Sequence, residues 1–272
     1  MDFVPRLVVA DFDGTLLHTD KTMPREVARM ARDLRGRGIL FAVETARPAN
    51  TARALMEAAD VDIAVYHNGA IIDMDFHARR VSPGSVPAGA TLTHAIDWDR
   101  GVSWVRAMHR DMPAMALAVV IDDHRFANFD MTAIWPGLEF SWSDFADLPA
   151  GELDKINAYP RDGEETAYLE ANRPDWLGLH VADGSLWMYT DPAASKEQAL
   201  LDICRLAGVS PDETVAFGDD AIDAGMLRAA GHGVAVANAI EGLKAVADEV
   251  CASNDEDGVV AWVDAHILNK MD

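Results

Sequence analysis

Lysine is scarce in this chain: Lys21, Lys155, Lys196, Lys244 and Lys270 are the full set. Lysine and arginine together number 23 against 45 aspartates and glutamates, a formal net charge of −22. Such a surface repels nucleic acid and anionic membranes, so neither is an expected partner. An anionic substrate must instead find a local pocket of positive charge. Cysteine is nearly absent. Cys204 and Cys251 stand in apolar surroundings without metal-ligand spacing, and read as core residues rather than a disulfide or redox pair. The histidines show no H-x-x-x-H or Cys/His ligand spacing, which argues against a zinc enzyme. Long apolar runs are missing too. The longest, Ala114 to Ile121, is too short to span a bilayer. The opening MDFVPRL has no basic segment followed by an apolar core, so no signal peptide is expected and the expected location is cytoplasmic. No internal repeat or low-complexity segment stands out.

Half of the 272 residues are apolar, enough for a sizeable core in one large domain or two ordinary ones. The stretch that organises the chain is VVADFDGTLL, Val8 to Leu17. Its apolar start reads as a short buried strand. On an extended backbone Asp11 and Asp13 share a face and Phe12 points the other way; Gly14 then allows a sharp turn. Two carboxylates at the end of a buried strand repel unless a cation or a shared proton compensates. Taken alone, D-x-D-G reads more readily as a surface turn than as a site. A calcium loop fits poorly, because its sixth and twelfth positions would be Leu16 and Thr22 rather than Gly and Glu. The apolar flanks favour a site at a strand end, where ligands bind in α/β sheets.

The rest of the chain alternates helix and strand, which predicts a parallel sheet with helices on both faces. Pro24 to Arg37 has helical periodicity, with Val27, Met30, Ala31 and Leu34 on one side. Strands are expected at Ile39 to Val43 and Ile63 to Tyr66, with a helix from Pro48 to about Ala59 between them. The alternation breaks near Ser82-Pro83-Gly84. Beyond it, hairpins are expected around Asp122-Asp123-His124 and across Ala182-Asp183-Gly184-Ser185, with a strand at Lys155 to Tyr159 and a helix at Gly163 to Asn172. Six of the seven tryptophans fall in this segment, an inserted α+β domain, most of them expected in its core. The alternating pattern resumes with a helix from Ser195 to Ala207, a strand from Thr214 to Phe217, a helix through Ala230, a strand from Gly233 to Val236, a helix from Ile240 to Ala247, a strand from Val250 to Ala252 and a final helix from Val259 to Leu268.

Three further stretches sit where strands meet helices. Thr45 follows a strand and precedes a helix, as an anion-binding group or merely a cap. Lys196 opens a helix, where its charge opposes the dipole and wants an anionic partner unless it is simply solvated. Gly218-Asp219-Asp220 with Asp223 follows a strand; such acids cap a helix or bind Mg²⁺, a cation of oxygen ligands. In this order, strand-DxDGT, strand-T, Ser195-Lys196 and strand-GDD-x-x-D resemble the four motifs of the haloacid dehalogenase (HAD) superfamily. The insert between the second and third resembles a C2-type cap by position. Asn68-Gly69-Ala70 and the tail through Asn238-Ala239, Lys244 and Asn254 to Val259 resemble the Cof-like phosphatase branch.

The resemblance implies a Rossmann-like core over 1–82 and 191–272, with a cap over 83–190. It implies a Mg²⁺-dependent phosphatase acting on a small phosphorylated metabolite, a sugar phosphate or phosphorylated cofactor, through an aspartyl-phosphate. Asp11 would be the nucleophile and Asp13 the acid and then the base. Thr45 and Lys196 would bind the transferring group, with Arg47 and Asn68 in the substrate pocket. Mg²⁺ would be held by Asp11, the Asp13 carbonyl, Asp219 and, on the metal side or just behind it, Asp223. Some residues depart from the family's pattern. Glu44 and Ala46 stand where A-T-G-R is usual, Glu197 follows Ser-Lys in place of glycine, and Ile222 replaces the asparagine before Asp223. None removes a core group, but Glu44 and Glu197 add negative charge if they face a phosphate. A phosphomutase shares the intermediate, and a non-catalytic phosphometabolite-binding protein is the reading from another class.

Overall fold

The structure is a computed structural model, and it describes residues 4–81, 91–135, 137–182 and 185–270. The chain divides into two compact units: Met1–Thr93 with Ser195–Asp272, and His94–Ala194. The break expected at Ser82-Pro83-Gly84 lies outside the described residues, as do the two middle positions of the Ala182–Ser185 turn. Among the described residues no helix is long and apolar enough to cross a membrane.

The first unit is an α/β domain built on an eight-stranded sheet. Leu7–Asp11 is a central strand, with all five residues buried. Parallel to it run Leu40–Glu44 on one side and Thr214–Gly218 on the other. Ile63–Tyr66 and His232–Ala235 extend the parallel sheet outward. A strand covered by helices on both faces is buried throughout, which explains the unbroken apolar runs LVVA, LFAV and TVAF. Beyond Ile63–Tyr66 the pattern changes, and Ile71–Asp73 and Thr91–Thr93 add antiparallel strands at the edge.

The chain leaves the central strand first toward Leu40–Glu44 and returns later on its other side at Thr214–Gly218. Strand order therefore reverses at Leu7–Asp11, and ligands of open α/β sheets bind at such a switch point, at the carboxyl ends of the strands. Register brings those ends together: Asp11 lies opposite Glu44 and Ala10 opposite Phe217. The helix Val27–Gly36 buries Val27, Met30, Ala31 and Leu34. It starts three residues after Pro24, whose carbonyl closes a preceding turn by accepting the Val27 N–H. Near the end of the chain the helix expected over Ile240 to Ala247 is a single turn, Glu241–Lys244, and that over Val259 to Leu268 is Gly258–Val263 followed by a wider π turn.

The second unit is α+β. Six strands lie in the order Gly178–Ala182, Leu186–Thr190, Leu153–Tyr159, Ala116–Ile121, His124–Ala127, Ser141–Trp142. All pairings but the last are antiparallel. The helices Trp98–Asp111 and Gly163–Asn172 contribute Val105, Met108 and Leu169 to the apolar cluster on one sheet face. Trp187 is in that cluster, with Trp98, Trp104 and Trp176 packed against it. Trp142 is two-thirds exposed on the edge strand.

Candidate active site

The site grows from the end of the central strand. Asp11 closes Leu7–Asp11 and is buried. Phe12 is wholly buried, and its carbonyl accepts the N–H groups of Leu16 and Leu17, folding Asp13 to Thr15 into a tight turn. Gly14 occupies that turn at φ +89°, where a side chain is strained. A Cβ there would also lie 2.5 Å from an Asp219 carboxylate oxygen, so glycine lets the turn and Asp219 meet. Thr15 Oγ1 then donates to Asp219 at 2.8 Å.

Lys196 is the first residue of the helix Lys196–Ala207, whose N-cap Ser195 accepts the Gln198 N–H. Its side chain is buried and its ammonium bonds both Asp11 and Asp223, the latter at 2.5 Å. Burial works against that charge, but Asp11 and Asp223 outweigh it and hold Lys196 protonated. The other Asp223 oxygen accepts the backbone N–H groups of Asp219 and Asp220, 3.0 Å each. Asp11, Asp219 and Asp223 thus offer oxygens all within 4.8 Å of one another. Burial pushes Asp11 and Asp219 up, with Asp223 adding to both and Lys196 opposing. One lysine cannot neutralise three clustered carboxylates, and an all-oxygen donor set of this kind suits a hard divalent cation.

Asp13 faces other partners. Arg47 grips it with both ends of its fork, at 2.6 and 2.5 Å, and Lys21 adds a contact of 3.0 Å. Burial raises the Asp13 carboxyl, but the hydrogen bonds and charge of Arg47, with help from Lys21, bring it below the usual range. Thr45 is buried just past Leu40–Glu44, and its hydroxyl accepts the Arg47 N–H at 3.0 Å. Asn68 is held in a left-handed turn at φ 57°, donates its N–H to the Thr45 carbonyl at 2.8 Å, and has a buried Oδ1 without a hydrogen-bond partner.

The structure therefore brings Asp11, Lys196, Asp219 and Asp223 into one cluster, and puts Asp13, Arg47 and Thr45 in a second contact chain leading from the same turn. Of the departures, Glu44 is wholly buried and neither of its carboxylate oxygens has a hydrogen-bond partner. Burial drives its carboxyl well up; Lys196 opposes this, and Asp223 and Asp11 add to it. Glu197 is exposed and lies against Gly225, and Ile222 is half-buried. Sequence reasoning missed Thr15 and Lys21 as partners of Asp219 and Asp13. Both stand within the turn or just beyond it, but their reach depends on how the chain folds back. It also missed that Asn238 donates to the Gly14 carbonyl at 2.7 Å and Asn254 to that of Leu17 at 2.9 Å, which pins the turn from behind.

A family model described as haloacid dehalogenase-like hydrolase matches residues 8–85 and 144–263. Phosphatase YwpJ of Bacillus subtilis is 27% identical over 98% of this chain and 99% of its own. The phosphoglycolate phosphatase of Methanopyrus kandleri is 25% identical over 98% of each. Among solved structures, a HAD-superfamily phosphatase of Bacteroides thetaiotaomicron superposes with a TM-score of 0.80 at 20% identity, covering 96% of this chain and 95% of that one.

Proposed function

The chain belongs to the haloacid dehalogenase-like hydrolases, in their Cof-like phosphatase branch, and from that premise we propose that it hydrolyses a small phosphorylated metabolite through an aspartyl-phosphate on Asp11, with Mg²⁺. The observation that carries this reading is the cluster at the strand ends: Asp11 bonded to a buried Lys196, with Asp219 and Asp223 in metal-ligating reach. Asp11, Asp219 and Asp223 would hold Mg²⁺, which when bound offsets the negative charge of the phosphate against that of the carboxylates.

In this reading an Asp11 oxygen attacks phosphorus and the ester P–O bond breaks. The leaving oxygen takes a proton from Asp13. Asp13 then draws a proton from water, the water oxygen attacks phosphorus, the bond to Asp11 breaks and phosphate is released. Lys196 and the Thr45 hydroxyl stabilise charge on the equatorial oxygens. Asp13 is held ionised by Arg47 and Lys21, which suits its second role. For the first it must take up a proton, which requires Arg47 to let go. A guanidinium released in this way binds a phosphate or carboxylate of the arriving substrate, consistent with a place for Arg47 in the substrate pocket, beside Asn68 with its free Oδ1. The unit His94–Ala194 would take the part of the cap in choosing the substrate.

The test is phosphate release from a panel of phosphorylated metabolites by the wild type with Mg²⁺, with EDTA, and by Asp11→Asn. Turnover that requires both Mg²⁺ and Asp11 is expected. Equal turnover in Asp11→Asn, or none from any compound by a well-folded wild type, would sink the reading.

A further inference from the structure

Two cations hold Asp13, and they hold it differently. Arg47 takes both carboxylate oxygens, Nε on Oδ2 at 2.6 Å and Nη2 on Oδ1 at 2.5 Å. Lys21 touches Oδ1 alone, with Nζ 3.0 Å away. Among the described residues, Arg47 is the one side chain on Oδ2. The acid step proposed above needs Arg47 to let go. Lys21 then becomes the one side chain left on the carboxyl, and it sits on one oxygen only.

Lys21 reaches Asp13 from a short loop, 18–22, whose backbone is fixed at several points. The His18 N–H donates to the Thr22 carbonyl at 3.0 Å, and the Lys21 N–H to that of His18 at 2.9 Å. Asp20 Oδ1 accepts both the N–H and the hydroxyl of Thr22. The loop is also tied to a distant part of the chain. His18 Nε2 meets Asp257 Oδ1 at 2.7 Å, and Asp255 accepts the Thr19 N–H and hydroxyl at 2.8 Å each. The base of Lys21 is thereby set in place, although its side chain is 57% exposed.

Lys21 itself stands at φ +67°. A residue with a long side chain is strained there, and glycine, asparagine or aspartate is the easier occupant. Such strain persists where the surroundings over-determine the backbone, and it gathers at functional sites. A lysine at this position is therefore one whose ammonium is wanted where the loop puts it.

We propose that Lys21 is a positioning residue for Asp13: it keeps hold of Oδ1 after Arg47 turns to the substrate, so that Oδ2 is the oxygen that gives and takes the proton. This inference rests on the phosphatase function proposed above. In the first step the Oδ2–H bond breaks and its proton passes to the leaving oxygen as the ester P–O bond breaks. In the second, Oδ2 takes a proton from the attacking water. An ammonium donates and cannot accept, so it bonds Oδ1 in both states, as a carboxylate oxygen or as the carbonyl oxygen of the acid. Without it, a carboxyl released by Arg47 turns about its Cβ–Cγ bond. Proton transfer needs the acid within hydrogen-bond reach of the leaving oxygen, so a turning carboxyl transfers poorly.

Leaving groups test this. An alkyl phosphate expels an alkoxide and needs the proton, whereas p-nitrophenyl phosphate expels a stable phenolate and does not. Asparagine tolerates the backbone of Lys21 and removes the ammonium, so Lys21→Asn should hold or raise the melting temperature. Its kcat/KM for the alkyl phosphate that wild type hydrolyses best should fall at least about tenfold more than that for p-nitrophenyl phosphate. Lys21→Arg should restore most of the difference. Inorganic phosphate should inhibit variant and wild type alike, because Lys21 does not touch the transferring group. Equal falls for the two substrates overturn the inference, as does a Lys21→Arg that restores nothing. Weaker inhibition of Lys21→Asn by phosphate also overturns it, since Lys21 would then hold the phosphoryl group itself. Wild type judges the underlying reading separately. Turnover that needs Mg²⁺ and Asp11 keeps the phosphatase reading whatever Lys21 does. Its absence sinks both, and hydrolysis of p-nitrophenyl phosphate alone sinks this inference only.

Discussion

Lys196 bridges Asp11 and Asp223, its ammonium bonded to both carboxylates and all three side chains buried. Removing one member of a buried ionic group leaves the others uncompensated, at a cost of about 3–5 kcal/mol. Lys196→Met should lower stability by that order in urea titrations without metal and abolish phosphate release. Added Mg²⁺ should then raise the melting temperature of the variant more than that of wild type, because it replaces the missing positive charge. An equal rise in both would mean that the carboxylates are not where the cation binds.

The contact between Gly14 and Asp219 sets a second expectation. Gly14→Ala places a methyl at a strained positive φ and 2.5 Å from Asp219. Backbone strain of this kind costs about 1–3 kcal/mol, and Asp219 must move off its bond to Thr15. Phosphate release should need at least tenfold more Mg²⁺ for half-maximal rate. An unchanged Mg²⁺ requirement would place Asp219 outside the metal site.

The sheet strands and the cluster residues were legible because buried parallel strands leave unbroken apolar runs, and because chemistry at strand ends follows them directly in sequence. Leu7–Asp11 and Thr214–Gly218 announce both. The helix Trp98–Asp111 was not read, although Asp97 caps it by accepting the Arg100 N–H. Its Gly101 looks like a helix breaker, yet Leu153 and Ile96 crowd in so closely that a Cβ would not fit. That reason exists only in the folded chain. The edge strands Ile71–Asp73 and Ser141–Trp142 are too short to show a period. Arg47 was read as facing substrate, and its grip on Asp13 depends on a contact across 34 positions that no local pattern encodes.

Glu44 was flagged as a departure, but its burial was not readable. Neither oxygen has a partner, and an unsatisfied buried polar group costs about 1–3 kcal/mol. Glu44→Met keeps the volume and removes that cost, so stability at neutral pH should rise by a similar amount. A loss of more than about 1 kcal/mol would show instead that the carboxyl engages a partner in solution.

Asp154 sets a pH dependence that can be isolated. Burial raises its carboxyl from 3.8 to about 6, so the folded chain holds this proton over a range in which the unfolded chain has lost it. Stability is therefore highest below the unfolded value and falls as pH rises toward about 6. Above that the full penalty applies, of order 1.36 kcal/mol per pH unit and so at most about 3 kcal/mol. Asp154→Asn cannot ionise and can still accept the Asp123 N–H. Its unfolding free energy should match that of wild type within about 1 kcal/mol near pH 4 and exceed it by about 1–3 kcal/mol near pH 7.5. Measuring both proteins at each pH cancels the titration of every other group. A difference that stays constant across the range would show that folding does not shift the Asp154 carboxyl, and one that shrinks as pH rises would show that folding lowers it.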